Sequence, residues 1–148
     1  MKRNKLFESG ERGAALVEYA IALTVFLTAM FAVIEFGRAL WVHNALSDAA
    51  RRGARYAVLN PASKADEVKN VVVFGDPAGG TQPVVPNLTP DKVTVTYSDF
   101  ALNKGTATVK VTGYQFQFVI PLIGTTITMP DYSTTRTGES IGFIPDNI

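Results

Sequence analysis

The hydrophobic pattern changes twice along this chain of 148 residues. From Ala14 to Ile34, twenty-one residues carry a single charge, Glu18, and apolar side chains surround the predicted helix on every side. About twenty predominantly apolar residues are enough to span a bilayer core as a helix. We therefore predict a membrane span over about residues 14–36, in preference to the buried helix of a soluble domain.

Beyond the span, the pattern stays helical until a proline interrupts it. No proline occurs before Pro61, and Asn60 precedes it, so one helix is predicted from Ala14 to about Leu59. Its outer half carries small residues at four-residue spacing, namely Ala45, Ala49, Gly53 and Ala57. Small residues on one helical face permit close backbone approach. We expect this face to pack against the chain's own sheet or against another subunit.

The segment after Pro61 predicts a short helix followed by a loop. Ser63 is a candidate N-cap, and Asp66 and Glu67 would lie in the first turn of a helix that ends near Gly75. The following stretch, GDPAGGTQPVVPNLTPD, is rich in glycine and proline and is interpreted as a loop. It lacks the Gly-Lys-Ser/Thr sequence of a nucleotide-binding P-loop, so a phosphate-binding loop is not expected.

The last third of the chain alternates apolar and polar side chains. Two half-buried strands are predicted at residues 92–98 and 107–120, with a connecting turn at 103–105 and a bulge or bend at Gly113. The stretches TTITMP and YSTTRTGES predict a third strand and a fourth or edge strand. The predicted fold class is α+β: a long N-terminal helix, whose membrane span continues outside, precedes a small antiparallel β domain within residues 60–148.

Composition narrows the possible functions. The balance of 14 basic and 13 acidic side chains predicts no nucleic-acid partner. The absence of cysteine excludes a disulfide framework and a thiolate metal site. The single histidine, His43, is interpreted as a surface or interface residue rather than a metal ligand. No nucleophile–base pair or paired carboxylates stand out, so we expect no enzyme activity, no cofactor and no small-molecule substrate.

Three arginines follow the span on the outer helix. Arg51, Arg52 and Arg55 are interpreted as a solvated helix face, in which Asp48 can pair with Arg51 or with Arg52. The residues before the span also carry basic side chains, so the charge pattern alone gives a weak indication of membrane orientation.

The residues before the span indicate processing. Gly13 is followed by four apolar residues, then by Glu18 and Tyr19 and a long apolar helix. This order resembles the processing site of type IV prepilin-like proteins, especially their tight-adherence (Flp) branch. The stretch IEFGRALWVHNALSDAARRGARYAVL is similar to the segment after the membrane helix of TadE-like pilus-assembly proteins, and the combined resemblance covers about residues 11–59. A secretory signal peptide fits less well, because the polar start is long and no A-x-A-like site follows near Gly37.

The resemblance implies that residues 1–13 are a leader, which a prepilin peptidase removes between Gly13 and Ala14. The new α-amine of Ala14 would be cationic at neutral pH, and Glu18 lies one helical turn further along. This carboxylate can meet an amine, either its own or that of a neighbouring subunit. The resemblance implies the neighbour, with Glu18 and Tyr19 aligning an incoming subunit. The remaining interpretation is an interfacial carboxylate that reaches the lipid headgroups.

The predicted function is that of a minor pseudopilin in the assembly or priming of a bacterial tight-adherence (Flp, type IVb-like) pilus. Expected partners are the prepilin peptidase, other pilin or pseudopilin subunits, pilus-assembly membrane proteins and membrane lipid. The protein would cross the inner or cytoplasmic membrane once, with a cytoplasmic N-terminus and an extracytoplasmic C-terminal domain. The sequence leaves open whether it is incorporated into pili. The alternative is a bitopic membrane scaffold or adhesin whose outer domain never enters a filament.

Overall fold

The computed structural model describes residues 5–98, 105–119 and 126–138, with side chains from Gly13 onward. The described chain divides after Arg38 into two compact units. The first belongs entirely to helix α1, which extends over Lys5–Leu59. Because α1 begins nine residues before Ala14, the predicted boundary between leader and mature chain lies inside a continuous helix.

Helix α1 ends at Leu59, which confirms the end predicted from the proline. Pro61 adopts an extended backbone conformation, with φ −63° and ψ 155°, and does not continue the helix. The Asn60 side-chain amide donates a hydrogen bond of 2.9 Å to the carbonyl of Tyr56. This bond satisfies one of the carbonyls that a helix leaves without an intrahelical donor at its C-terminus.

Helix α2 covers Ala65–Phe74 and has Asp66 and Glu67 in its first turn, as predicted. The predicted N-cap at Ser63 is wrong. Ser63 lies inside a 3-10 turn at Ala62–Lys64, so the N-cap position falls to Lys64, which makes no side-chain capping bond. The 3-10 turn begins directly after the extended Pro61, so Ser63 already belongs to a helical turn. An N-cap residue typically has an extended conformation instead.

The strands form two small antiparallel sheets, which confirm the predicted α+β class. The first sheet has the strand order β1-β2-β5, with bounds Val93–Ser98, Thr106–Val111 and Tyr132–Thr137. The second pairs β3, Gln115–Gln117, with β4, Thr126–Thr128. The last predicted strand, β5, lies at an edge of its sheet.

The single strand predicted over residues 107–120 is wrong. The chain leaves β2 at Val111 and re-forms a strand only at Gln115, in the other sheet. Gly113, between them, has φ +66°, a left-handed conformation that glycine adopts readily and other residues rarely do. The bend expected at this glycine therefore divides two strands. Residues 103, 104 and 120, which belong to the predicted turn and strand, lie outside the described residues.

The core of the second unit lies between the outer part of α1, helix α2 and the inner face of the three-stranded sheet. Successive strand residues point to opposite faces, so alternate valines reach one side. The fully buried members include Val109 and Val111 of β2 and Val68 and Val72 of α2. These side chains define the surface against which the small residues of α1 pack.

Candidate assembly site and helix-packing face

The surface of α1 from Gly13 to Phe31 is exposed at every residue. Large apolar side chains point outward on all sides; Leu16 is 70% exposed and Phe26 is 63% exposed. The helix is long and apolar enough to cross a membrane. An apolar surface that surrounds a helix suits hydrocarbon better than water. The N-terminal helix therefore fits a single-pass membrane protein.

Two threonines within this surface have their hydroxyl groups satisfied by the helix itself. Thr24 Oγ1 donates to the Ala20 carbonyl and Thr28 Oγ1 donates to the Thr24 carbonyl, each at 2.8 Å. A hydroxyl without a partner in hydrocarbon costs free energy, and these bonds remove that cost. The polar side chains between Tyr19 and Ile34 are consequently compatible with lipid.

Charge reappears at the predicted outer end of the span in a paired form. Glu35 is only 5% exposed and accepts a hydrogen bond of 3.3 Å from the Arg38 guanidinium. A buried carboxylate without a cation would be strongly unfavourable, and an arginine three residues later on the helix offsets that cost. Within the described residues, Glu18, near the start of the span, forms no ion pair.

Glu18 lines a hollow on one face of the helix together with the proposed processing site. The lining residues are Gly13, Ala14, Val17, Glu18, Ile21 and Ala22. Small side chains one turn before and one turn after the carboxylate leave it accessible from the side. Tyr19 lies outside this hollow and is 66% exposed. The structure thus brings Gly13, Ala14 and Glu18 onto one face and leaves Tyr19 on the neighbouring one.

The small residues of the outer helix lie in the second unit. Ala49, Gly53 and Ala57 are buried, and Ala45 is half-buried at the margin. The buried stripe is wider than this row of four, because it also contains Val42, Leu46, Ala50 and Ala54. These positions follow one another at three- and four-residue spacing, which is the period of a helix face that packs on a core.

Gly53 marks the closest approach along this stripe. A Cβ atom at Gly53 would overlap Cγ2 of Val72 in α2 and would lie 3.3 Å from Cγ1 of Val109 in β2. The glycine therefore lets the α1 backbone contact both neighbouring elements directly. Of the two partners that the sequence leaves open for this face, the structure shows the chain's own helix and sheet.

A hydrogen-bonded group joins α1 to α2 beside this stripe. The Tyr56 hydroxyl donates to Glu67 Oε2 at 2.6 Å, and Lys64 Nζ donates to the same oxygen at 3.2 Å. The bond from Tyr56, and then that from Lys64, lowers the pKa of Glu67, and the same carboxylate raises the pKa of Tyr56. Sequence reasoning missed this group, and a tyrosine eleven residues before a glutamate gives no signal that could have found it.

His43 forms an interface contact with the sheet. Its Nδ1 lies 2.8 Å from the Tyr132 hydroxyl, and the two rings meet edge to face with centroids 5.2 Å apart. Burial, and then the nearby Tyr114, raises the pKa of Tyr132. Among the described residues, no three His, Cys, Asp or Glu side chains are grouped as a metal site would require. His43 thus helps to hold β5 against the outer helix.

Comparison with known proteins bears on the N-terminal part of the chain. Residues 13–55 match a family model described as TadE-like protein. No curated protein and no solved structure gives a significant match. The matched segment begins at Gly13 and contains the apolar helix, Glu18 and most of the small-residue stripe. The match suggests involvement in tight-adherence pilus systems. The segment from Gly13 to Arg55 is therefore similar to TadE-like proteins, as its sequence predicts.

Proposed function

We propose that this protein is a minor pseudopilin that takes part in assembling or priming a tight-adherence pilus, and that a prepilin peptidase cuts it after Gly13. The observation that carries the proposal is the TadE-like match, which begins at Gly13 and includes a lipid-compatible helix with one carboxylate near its start. In this proposal the protein is not an enzyme, and it acts through contacts with lipid, the peptidase and other subunits.

The local structure around Gly13 is consistent with a cleavage site. Helix α1 runs without interruption through Gly13 and Ala14, so a peptidase must open the helix locally to reach the peptide bond. Glycine is about 1 kcal/mol less favourable than alanine in a helix interior, which lowers the cost of that opening. Among the described residues, no group from outside the local helix backbone lies within 4 Å of the position where a side chain at Gly13 would start, so no described contact requires a glycine there.

The exposed position of Glu18 near the start of the apolar helix supports a role in subunit alignment. A single carboxylate facing lipid is unfavourable unless a cation or water meets it. After cleavage, the cationic amine of Ala14 in a neighbouring subunit can fill the hollow that Glu18 lines and neutralise the charge. A subunit that arrives out of register would leave both charges unpaired. The pair would therefore select one axial position for the incoming helix.

In this proposal, contacts between subunits use the exposed part of α1 rather than its buried stripe of small residues. The small-residue stripe of α1 is occupied by the chain's own α2 and β2, as the contacts of Gly53 show. Contacts between subunits would then form along the exposed apolar surface between Gly13 and Phe31. The domain after Arg38 would lie outside the cytoplasm and fold without a partner.

The proposal is tested with Glu18→Gln, which keeps the shape of the side chain and removes its charge. We expect this variant to insert and to be processed, but to be depleted from sheared pili. Asp66→Asn is the matched control, because it removes one negative charge from a side chain that is 94% exposed in the outer domain. The control should co-purify with pili as the parent does.

Two results would contradict the proposal in different ways. Co-purification of Glu18→Gln at the parental level would show that no charge pair is required. Complete absence of the parent protein from sheared pili and from pilus-assembly complexes, with normal membrane insertion, would favour the stationary scaffold or adhesin.

A further inference from the structure

A hollow on the second unit gathers four arginines. Arg51, Arg52 and Arg55 line it from the outer part of α1, and Arg136 lines it from β5. Asp48 is the one carboxylate among its lining residues. All of its lining residues belong to the second unit.

The fold explains why these side chains converge. Arg51 and Arg55 are four residues apart, and Arg52 and Arg55 are three apart, so they share one side of the helix. Arg136 pairs across the sheet with Ala107, whose side chain is fully buried. Residues directly opposite in an antiparallel pair point to the same face. Arg136 therefore leaves the sheet on the face that packs the helices, at an exposed edge strand.

Most of the positive charge in this hollow is not neutralised. Arg51 lies 3.6 Å from Asp48, but both side chains are more than half exposed, so this ion pair is weak. Within the described ranges, Arg52, Arg55 and Arg136 form no ion pair. Like charges held close together repel one another. An anion in the hollow would attract each guanidinium and offset their mutual repulsion.

The rest of the lining indicates what kind of anion fits. Leu59, Val71 and the Tyr56 ring add apolar surface between the arginines, and Leu59 is 60% exposed. A guanidinium can bind a carboxylate through two parallel hydrogen bonds. The apolar lining residues can cover an apolar side chain of the same ligand. A ligand that carries both kinds of group is a protein segment in which acidic and apolar residues alternate.

We propose that this arginine hollow docks an acidic, partly apolar segment of a different protein. The acidic residues that the structure describes are scattered along the chain, so none of its described segments would fill this role in a second copy. The one adjacent pair is Asp66 and Glu67, and Glu67 is already engaged by Tyr56 and Lys64. The proposal concerns the outer domain and holds whether or not the protein enters a filament.

The test uses the full chain in nanodiscs of neutral lipid and a short fluorescein-labelled peptide of alternating glutamate and leucine. Binding is followed by fluorescence anisotropy, with empty nanodiscs as the blank. We expect Arg52→Gln with Arg136→Gln to weaken peptide binding by about tenfold or more. Lys69→Gln with Lys110→Gln makes the same change in net charge elsewhere on the domain and should change binding little. Arg55→Gln alone provides a second variant if the double one does not fold.

A peptide of alternating glutamate and serine separates docking from simple charge attraction, and it should bind more weakly than the leucine peptide. Equal weakening by the arginine and lysine pairs would overturn the proposal, as would equal binding of the two peptides. Arginine-dependent binding of phosphatidylglycerol vesicles or of heparin, without binding of the leucine peptide, would assign the hollow to a lipid or polysaccharide instead.

Discussion

Adding a side chain at Gly53 should destabilise the second unit, and the size of this effect should depend on Val72. A methyl group added by Gly53→Ala would overlap Cγ2 of Val72 and lie 3.3 Å from Cγ1 of Val109. All three residues belong to the buried core, where backbone and side chains have little room to move. The substitution therefore sets a gain in helix propensity against a steric conflict.

The two effects have known sizes. Replacing glycine by alanine inside a helix stabilises it by about 1 kcal/mol. Overpacking a tight core costs about 1–3 kcal/mol. Gly53→Ala should therefore lower the free energy of unfolding by as much as about 2 kcal/mol in the parent chain. Once Val72→Ala removes the overlapping methyl group, the same change should raise it by at most about 1 kcal/mol, since Cγ1 of Val109 still lies 3.3 Å from the new Cβ.

A double-mutant cycle measures this reversal. Urea unfolding of the full chain in detergent, followed by near-ultraviolet circular dichroism of the tyrosines, would give the free energy for each member. We expect a coupling of about 1–3 kcal/mol between Gly53→Ala and Val72→Ala, equal to the relieved steric conflict. Arg52→Ala, at an exposed position of the same helix, is the control and should be nearly neutral. If Gly53→Ala stabilised the domain equally in both backgrounds, close approach of the helices would be refuted.

Three further predictions concern processing and the outer domain. Gly13→Leu should abolish cleavage while the helix still forms, since no described group from outside the local helix backbone lies within 4 Å of that position; a mature-sized band on an immunoblot would contradict the assignment of the cleavage site. The pKa of Glu67 is lowered in the folded state. Its hydrogen bonds therefore stabilise the fold fully above the ordinary carboxyl pKa of 4.5, and this stabilisation is lost as the pH falls through the lower folded-state pKa. Glu67→Gln should therefore flatten the acid side of the stability–pH curve in urea unfolding, and an unchanged curve would show that the bond from Tyr56 does not favour the carboxylate. Tyr114→Phe removes a hydrogen bond of 2.7 Å to the Pro86 carbonyl and should lower the unfolding free energy by about 1 kcal/mol; an unchanged melting temperature would contradict this.

The elements that the sequence predicted well are those with local causes. The end of α1 at Leu59 follows from a proline two residues later. Strand β1 follows from alternation over six residues, which has no helical counterpart. The division of one predicted strand at Gly113 was missed, because alternation continues on both sides of the glycine. Choosing between a bulge and a change of sheet requires knowledge of what each half packs against.

The candidate sites divide in the same way. Ala14 and Glu18 are four residues apart, so one helical turn places them on the same face and the sequence alone shows their relation. The arginine hollow needs Arg136, which is eighty-five residues beyond Arg51 and reaches it only through the register of β5. The sequence shows the row of small residues, but it does not predict their contacts with the valines of α2 and β2, since a small side chain does not specify its neighbour.

The N-terminus of the protein recovered from sheared pili tests the central claim most directly. Intact-mass and terminal-peptide mass spectrometry would identify the first residue of the mature chain. We expect a chain that begins at Ala14, with Glu18 at its fifth position and no peptide from residues 1–13. A pilus-associated or membrane-bound protein that retains Met1, or one that begins beyond Glu18, would contradict it.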